Sequence, residues 1–252
     1  MLKKRIIPIQ LIHNGRLVKS KRFDNFRDVG DPVKSSHVYS NQDADELIIL
    51  NIDRKFRNVK ETIQILNKIN ENCFMPVSVG GGVKSIKDAE SLFMNGADKI
   101  IINTYAYLDK KLLSNIVKIW GSQSLVVSID VFREISGVYS LKSNCGQKYE
   151  DISLQEHLKE MIDLGAGEIC CNSINNDGMM CGYDNGLVDI MVNTSSIPVI
   201  MCGGAGNFLH LKDILDRNIS AVGCGSLFNF GDNNPLRAKS YLKNHNIPLK
   251  VI

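Results

Sequence analysis

Two stretches decide how this chain is read: Met75-Pro-Val-Ser-Val-Gly-Gly-Gly-Val-Lys-Ser85 and Ile197-Pro-Val-Ile-Met-Cys-Gly-Gly-Ala-Gly-Asn207. Each is a short apolar strand running into glycines, and each ends on a residue, Ser85 or Asn207, suited to cap a helix. Glycine lets backbone N–H groups approach an anion, and the helix that follows turns its positive N-terminus toward it. A single turn of this kind is equally well explained by the sterics of a tight strand-to-helix connection. Two of them, with Pro76 and Pro198 spaced 122 residues apart, point to one phosphate grip built twice and to a ligand with two phosphates.

Outward from these turns, short β-rich runs alternate with longer segments of helical period, the pattern of a parallel sheet with crossover helices. Strands are expected at 5–11, 46–51, 77–79, 99–103, 124–130, 168–172, 199–202 and 221–225, with helical patterns such as 59–72 and 154–164 between them. Glu46 and Glu168 are also 122 residues apart, so strands two, three and four recur as six, seven and eight. Eight units with an internal repeat predict a closed (β/α)8 TIM barrel. It should form a single domain over 1–252, made of half-barrels of about 1–122 and 123–252. The length of 252 residues agrees with the roughly 250 typical of that fold.

Composition narrows the function classes. Hydrophobic residues make up 44% and charged ones 23%, and the net charge is only +3. Lys and Arg are scattered among acids rather than clustered with aromatics, which argues against nucleic acid as a partner. No apolar run approaches the ~20 residues of a membrane span. The basic, apolar start of the chain lacks a small-residue cleavage site and reads as a first strand. Seven cysteines lie mostly in apolar strands, as at Cys170, Cys171, Cys202 and Cys224, where they act as small core residues. Without C-x-x-C or a His-pair motif, neither a metal, a disulfide nor a bound cofactor is expected, and the cytoplasm is the default compartment.

The candidate chemistry sits where strands end, because a barrel places its active face at their C-terminal ends. Asp130 closes strand five and stands where a general acid or base would; a loop-capping aspartate is the alternative. Asp177-Gly178 follows strand six and is either a ligand contact or a simple turn. Each half would pair its glycine loop with the neighbouring strand end: Gly82 with Asn103, and Gly203 or Gly204 with Gly225-Ser226. Lys19, in the long first loop, could lend a mobile cation or be a solvated loop lysine. At the opposite face Arg5, Glu46, Lys99 and Glu168 start strands one, two, four and six. They either form salt bridges on the stability face or turn inward as a charged plug.

Taken together these residues resemble the cyclase subunit of imidazole glycerol phosphate synthase. The resemblance runs along essentially the whole chain, through Lys4-Arg-Ile-Ile-Pro8, Gly15-Arg-Leu-Val-Lys19, Val29-Gly-Asp-Pro32, Gly80-Gly-Gly82, Gly96-Ala-Asp-Lys99, Asp177-Gly178, Gly203-Gly-Ala-Gly206 and Ser226-Leu-Phe228. It implies a heterodimer with a glutaminase whose ammonia enters at the bottom face and crosses the barrel. On that pattern Arg5, Glu46, Lys99 and Glu168 match the charged gate, and Asp98 lies where the glutaminase docks.

One departure matters. The family carries an aspartate at the end of strand one, opposite the strand-five aspartate, and uses both as acid and base; this chain has Leu11 there and keeps Asp130. Gln10 is adjacent, but strand alternation points it to the other side of the sheet. Loss of one member of such a pair costs about 10²–10⁴ in rate. Asn51 and Asn172 also replace a family aspartate and threonine. The combination resembles a paralogue group associated with surface-polysaccharide genes, in which barrel and glutaminase make ammonia for a separate synthetase that amidinates an acetamido sugar. Two alternatives stand beside it: a genuine cyclase of histidine biosynthesis, and a non-catalytic bis-phosphate sensor that activates the glutaminase.

Overall fold

The computed structural model describes residues 3–54 and 57–250; the outer limits of the expected domain, at residues 1 and 252, lie outside them. Twelve strands form one sheet: β1 (Arg5–His13), β2 (Arg16–Lys21), β3 (Asp24–Gly30), β4 (Leu47–Asn51), β5 (Val77–Gly80), β6 (Lys99–Ile102), β7 (Leu125–Arg133), β8 (Tyr139–Ser143), β9 (Lys148–Glu150), β10 (Glu168–Ser173), β11 (Val199–Cys202) and β12 (Ala221–Cys224). Eight of them pair in parallel in the circular order β1, β4, β5, β6, β7, β10, β11, β12, and β12 returns to β1 through Arg5 opposite Ala221. This is a closed (β/α)8 barrel.

Alternation along each stave sorts its side chains. Ile7, Ile48, Ile101, Val126, Cys170, Ile200 and Ala221 point inward and pack with one another along the barrel axis. The outward set, including Ile6, Ile12, Leu47, Ile49, Val79, Ile100 and Val127, packs against the helices in a larger core. Gln10 obeys the same rule: it faces outward, donates from Nε2 to the Pro32 carbonyl at 3.1 Å and accepts from Ser36.

The structure departs from the sequence reading after staves one and five. The expected long first loop is instead the hairpin β2–β3, which pairs antiparallel with the end of β1. The end of β7 likewise carries the hairpin β8–β9. Both hairpins stand at the C-terminal ends of the staves. They make β1 and β7 nine residues long each, where shorter strands were expected.

Candidate functional site

A cavity of about 380 Å³ opens at the C-terminal ends of the staves. The two glycine turns frame it from opposite sides, Gly81-Gly82 from one and Gly203-Gly204 from the other. Gly81 and Gly204 both have φ in the left-handed region, +92° and +111°. A Cβ on Gly81 would run into the Asn51 carbonyl, and one on Gly204 into the Gly182 carbonyl. Sterics therefore account for part of the glycine pattern. The expected caps follow the turns: Ser85 accepts from the Asp88 N–H of the helix Ile86–Met94, and Asn207 from the His210 N–H of the helix Phe208–Leu215.

Two shorter helices, Thr104–Leu108 and Ser226–Asn229, begin at the cavity wall, 122 residues apart. Neither is capped by the side chain of the residue before it, Asn103 or Gly225, so the backbone donors of each first turn lie beside the cavity. Gly82 with Asn103, and Gly203 and Gly204 with Gly225 and Ser226, thus line one space.

Lys19 is placed differently from the expectation. It lies within β2, only 3% exposed, and its Nζ donates to the Ile9 carbonyl at 2.5 Å. Pairing with β1 fixes this strand, so Lys19 is a built-in wall residue rather than a mobile loop cation. A Cβ on Gly225 would stand 3.2 Å from Nζ, which puts the ammonium beside the Gly225-Ser226 turn. Burial pushes its pKa down to about 8, against the pull of the Asp177 carboxylate.

Asp177 has a structural partner: the Ser20 hydroxyl donates to its carboxylate at 2.8 Å, and the Arg22 N–H donates to its carbonyl at 2.9 Å. Gly178 follows with φ +69°, packed so closely on Ser20 that a Cβ would meet the Ser20 carbonyl. The pair docks the first hairpin onto the stave-six loop while still lining the cavity.

On the cavity floor, Asp130 is buried and accepts from Asn103 Nδ2 at 3.1 Å. Burial, helped by the Asp177 charge and opposed by Arg57, pushes its pKa up to about 7. Leu11 lines the cavity from β1 together with Ile9, whereas Asp130 lines it from β7 together with Ser128. Asn51 and Asn172 both line it as well. Asn51 Oδ1 accepts from the Asp53 N–H at 2.9 Å, which ties it into the stave-two turn.

Several lining residues carry no signal in the sequence. Arg57 comes from the loop after β4 and donates to Asn144 Oδ1 at 2.8 Å; the Asn144 N–H donates to Thr104 Oγ1 at 3.1 Å. Arg54 donates to the Phe23 carbonyl at 2.8 Å. The two hairpin tips and this loop therefore meet over the Gly82 side of the cavity. An Arg before a helix-capping Asn58 gives no hint of that role.

At the opposite end, Arg5, Glu46, Lys99 and Glu168 converge. Arg5 Nη1 donates to Glu46 at 2.9 Å and the same guanidinium bonds Glu168. Lys99 Nζ reaches both Glu46 oxygens and Glu168 Oε2 at 3.0 Å each. The Ser78 hydroxyl donates to Glu46 as well. The Glu46 and Glu168 side chains are 4% and 7% exposed, Arg5 and Lys99 21% and 20%. The four close a ring across the axis, which is the inward arrangement among the two considered. Asp98 is exposed at this face, its carboxylate accepting from the Val77 N–H at 2.8 Å. Among the described residues no helix is long and apolar enough to cross a membrane, and no three His, Cys, Asp or Glu side chains are grouped to hold a metal ion.

Fold and site thus define a (β/α)8 barrel with a cavity at the C-terminal face framed by two glycine turns and a charged ring at the other. Residues 5–234 match the model of the histidine biosynthesis protein family, and the chain belongs to that family. It is 36% identical over 252 residues, all of both chains, to the imidazole glycerol phosphate synthase subunit HisF of Chlorobaculum tepidum. The HisF subunit of Prosthecochloris aestuarii matches at 36% over the same full span. A Pseudomonas aeruginosa protein designated hisF2, and provisionally named an imidazole glycerol phosphate synthase subunit, is 38% identical over 231 residues, 91% of this chain and 92% of that one.

Proposed function

We propose that this chain is the barrel subunit of a glutamine-dependent, ammonia-delivering pair, a paralogue of the imidazole glycerol phosphate synthase cyclase in which ring closure has been given up. The observation that carries this reading is the cavity floor: Leu11 faces the space that Asp130 faces from the other side, and leucine exchanges no proton. Gly82 and Asn103 on one side, and Gly203, Gly204, Gly225, Ser226 and Lys19 on the other, would hold the two phosphates of a ligand, with Asp177 and Gly178 keeping the first hairpin closed over it.

In this reading a glutaminase subunit docks at the bottom face, with Asp98 among its contacts, and the ring of Arg5, Glu46, Lys99 and Glu168 gates ammonia into the barrel. A closed ring of partly desolvated charges costs stability unless fully bonded, and a gate gives it a function. The nitrogen then passes to a separate synthetase that amidinates an acetamido sugar for a surface polysaccharide. The setting is cytoplasmic. Expression of the chain with its glutaminase in a histidine auxotroph tests the proposal: no growth is expected, and growth would show that ring closure survives.

One feature supports the cyclase reading instead. Asp130, with a pKa of about 7, is poised as a single group able both to give and to take a proton near neutrality. Growth of the auxotroph, abolished by Asp130→Asn, would establish that alternative.

A further inference from the structure

Strand alternation decides which of the chain's cysteines meet. Cys171 and Cys224 point outward and pack in the core between staves and helices, whereas Cys170 on β10 and Cys202 on β11 point into the barrel beside Ile7, Ile200 and Ala221. The register sets Asn172, two residues beyond Cys170, opposite Cys202, so the two thiols lie on a diagonal between neighbouring staves. Their sulfurs are 3.5 Å apart. Cys202 pairs on its other side with Gly223 of β12, where a Cβ would stand 2.5 Å from the Cys202 sulfur. The bare glycine is the room that sulfur uses. Both cysteines line the cavity.

Two sulfurs side by side in an apolar wall suit few ligands. Zinc, calcium and magnesium need four or more donors, and among the described residues no third His, Cys, Asp or Glu joins the pair. Oxidation needs a thiolate, which burial among apolar side chains disfavours. A thiophilic cation needs none beforehand, because it displaces the thiol protons itself, and soft thiolates select Cu(I). We propose that Cys170 and Cys202 form a two-thiolate binding site for a soft monovalent cation of the Cu(I) class on the inner wall of the barrel. On binding, two S–H bonds break and two metal–sulfur bonds form; both protons leave to solvent, and nothing is oxidised or reduced. A metal–thiolate bond is about 2.3 Å, so a linear bridge parts the sulfurs by about 1 Å, a movement that side-chain rotation supplies. On the inward face of β10 Cys170 stands between Glu168 of the charged ring and Asn172 of the cavity wall, two residues from each. An ion held there lies between the two ends of the barrel. The site needs neither the phosphate grips nor a glutaminase, so it stands apart from the proposed function.

The test uses the full chain, reduced and kept anaerobic, with the two cysteines that are not buried replaced as Cys145→Ser and Cys181→Ser. Cu(I) is supplied as its bicinchoninate complex, and the loss of colour reads its transfer to the chain. One equivalent is expected to transfer, with release of about two protons per copper, measured by calorimetry in buffers of different ionisation enthalpy. Cys170→Ala and Cys202→Ala should each abolish the transfer while far-ultraviolet circular dichroism stays that of the parent. Zn(II) in excess should not compete. X-ray absorption on the copper-loaded parent needs no further substitution and should show two sulfur neighbours and no nitrogen or oxygen. No transfer, transfer retained by both alanine variants, displacement by zinc, or a third neighbour on the copper would overturn the inference.

Discussion

The two halves of the barrel share a frame and differ in its floor. Each begins with a nine-residue stave that carries a hairpin, β2–β3 on one and β8–β9 on the other. Each continues to a glycine turn capped by Ser85 or Asn207 and to a short uncapped helix at the cavity wall. Yet the inward positions at the top of the first stave are Ile9 and Leu11 in one half, and Ser128 and Asp130 in the other. The frame that would grip phosphates is mostly backbone, and backbone geometry is held by glycines and caps wherever side chains vary. Acid–base chemistry depends on single side chains, so one position per half decides whether that half can take part in it, independently of the backbone frame.

The comparison breaks most sharply if the halves are made alike. Leu11→Asp is expected to raise ammonia-dependent ring closure by about 10²–10⁴ over the parent chain, read as product formed from the ribotide substrate with ammonium supplied directly. Unchanged turnover with the ligand bound would assign the loss to Asn51 or Asn172 instead. At the other face, Glu168→Gln leaves Arg5 and Lys99 sharing Glu46 alone. The expected destabilisation in urea is about 3 kcal/mol, at the low end for a buried pair because both cations keep some solvent.

A smaller effect separates the twin turns. Gly81→Ala forces a Cβ against the Asn51 carbonyl at positive φ and should cost about 2 kcal/mol. Gly203→Ala meets the Ser173 carbonyl at 2.6 Å and should cost less. Equal costs would mean that the two turns are held with the same tightness. The gentlest effect is pH dependence. The folded-state pKa of Asp130 lies near 7, above its unfolded value, so the native state binds the extra proton between the two. Its contribution to stability is therefore full below the unfolded pKa and declines as pH rises toward 7, by at most about 1.4 kcal/mol per pH unit. Asp130→Asn should flatten that slope in urea titrations at stepped pH.

The staves and turns were legible because period-two alternation and the 122-residue spacing are local or repetitive signals. Expected and observed staves differ by a few residues at their ends, and 199–202 coincides with β11. The hairpins were only partly legible: Asn14-Gly15, at φ +48° and +69°, is a two-residue turn that folds β2 back on β1. The turn between β2 and β3 places Arg22 and Phe23 at φ +54° and +64°, where Gly or Asn would have announced a turn, and most of β3 is exposed. Missing that hairpin left Lys19 on a loop, although only β-pairing with β1 explains its burial. The roof of Arg57, Asn144 and Thr104 joins residues 40 to 87 positions apart, which no local pattern encodes. Asn172 read as a simple replacement; that its amide oxygen is buried without a partner close to Gly203 is visible only in the folded barrel.

The central claim is that gripping and ring closure have separated in this barrel. The most direct measurement places both on one sample: calorimetric binding of the ribotide substrate of imidazole glycerol phosphate synthase to the unaltered chain, and its conversion with ammonium present. Saturable binding with conversion at background is the predicted result. Conversion at a rate that Leu11→Asp does not improve would contradict it.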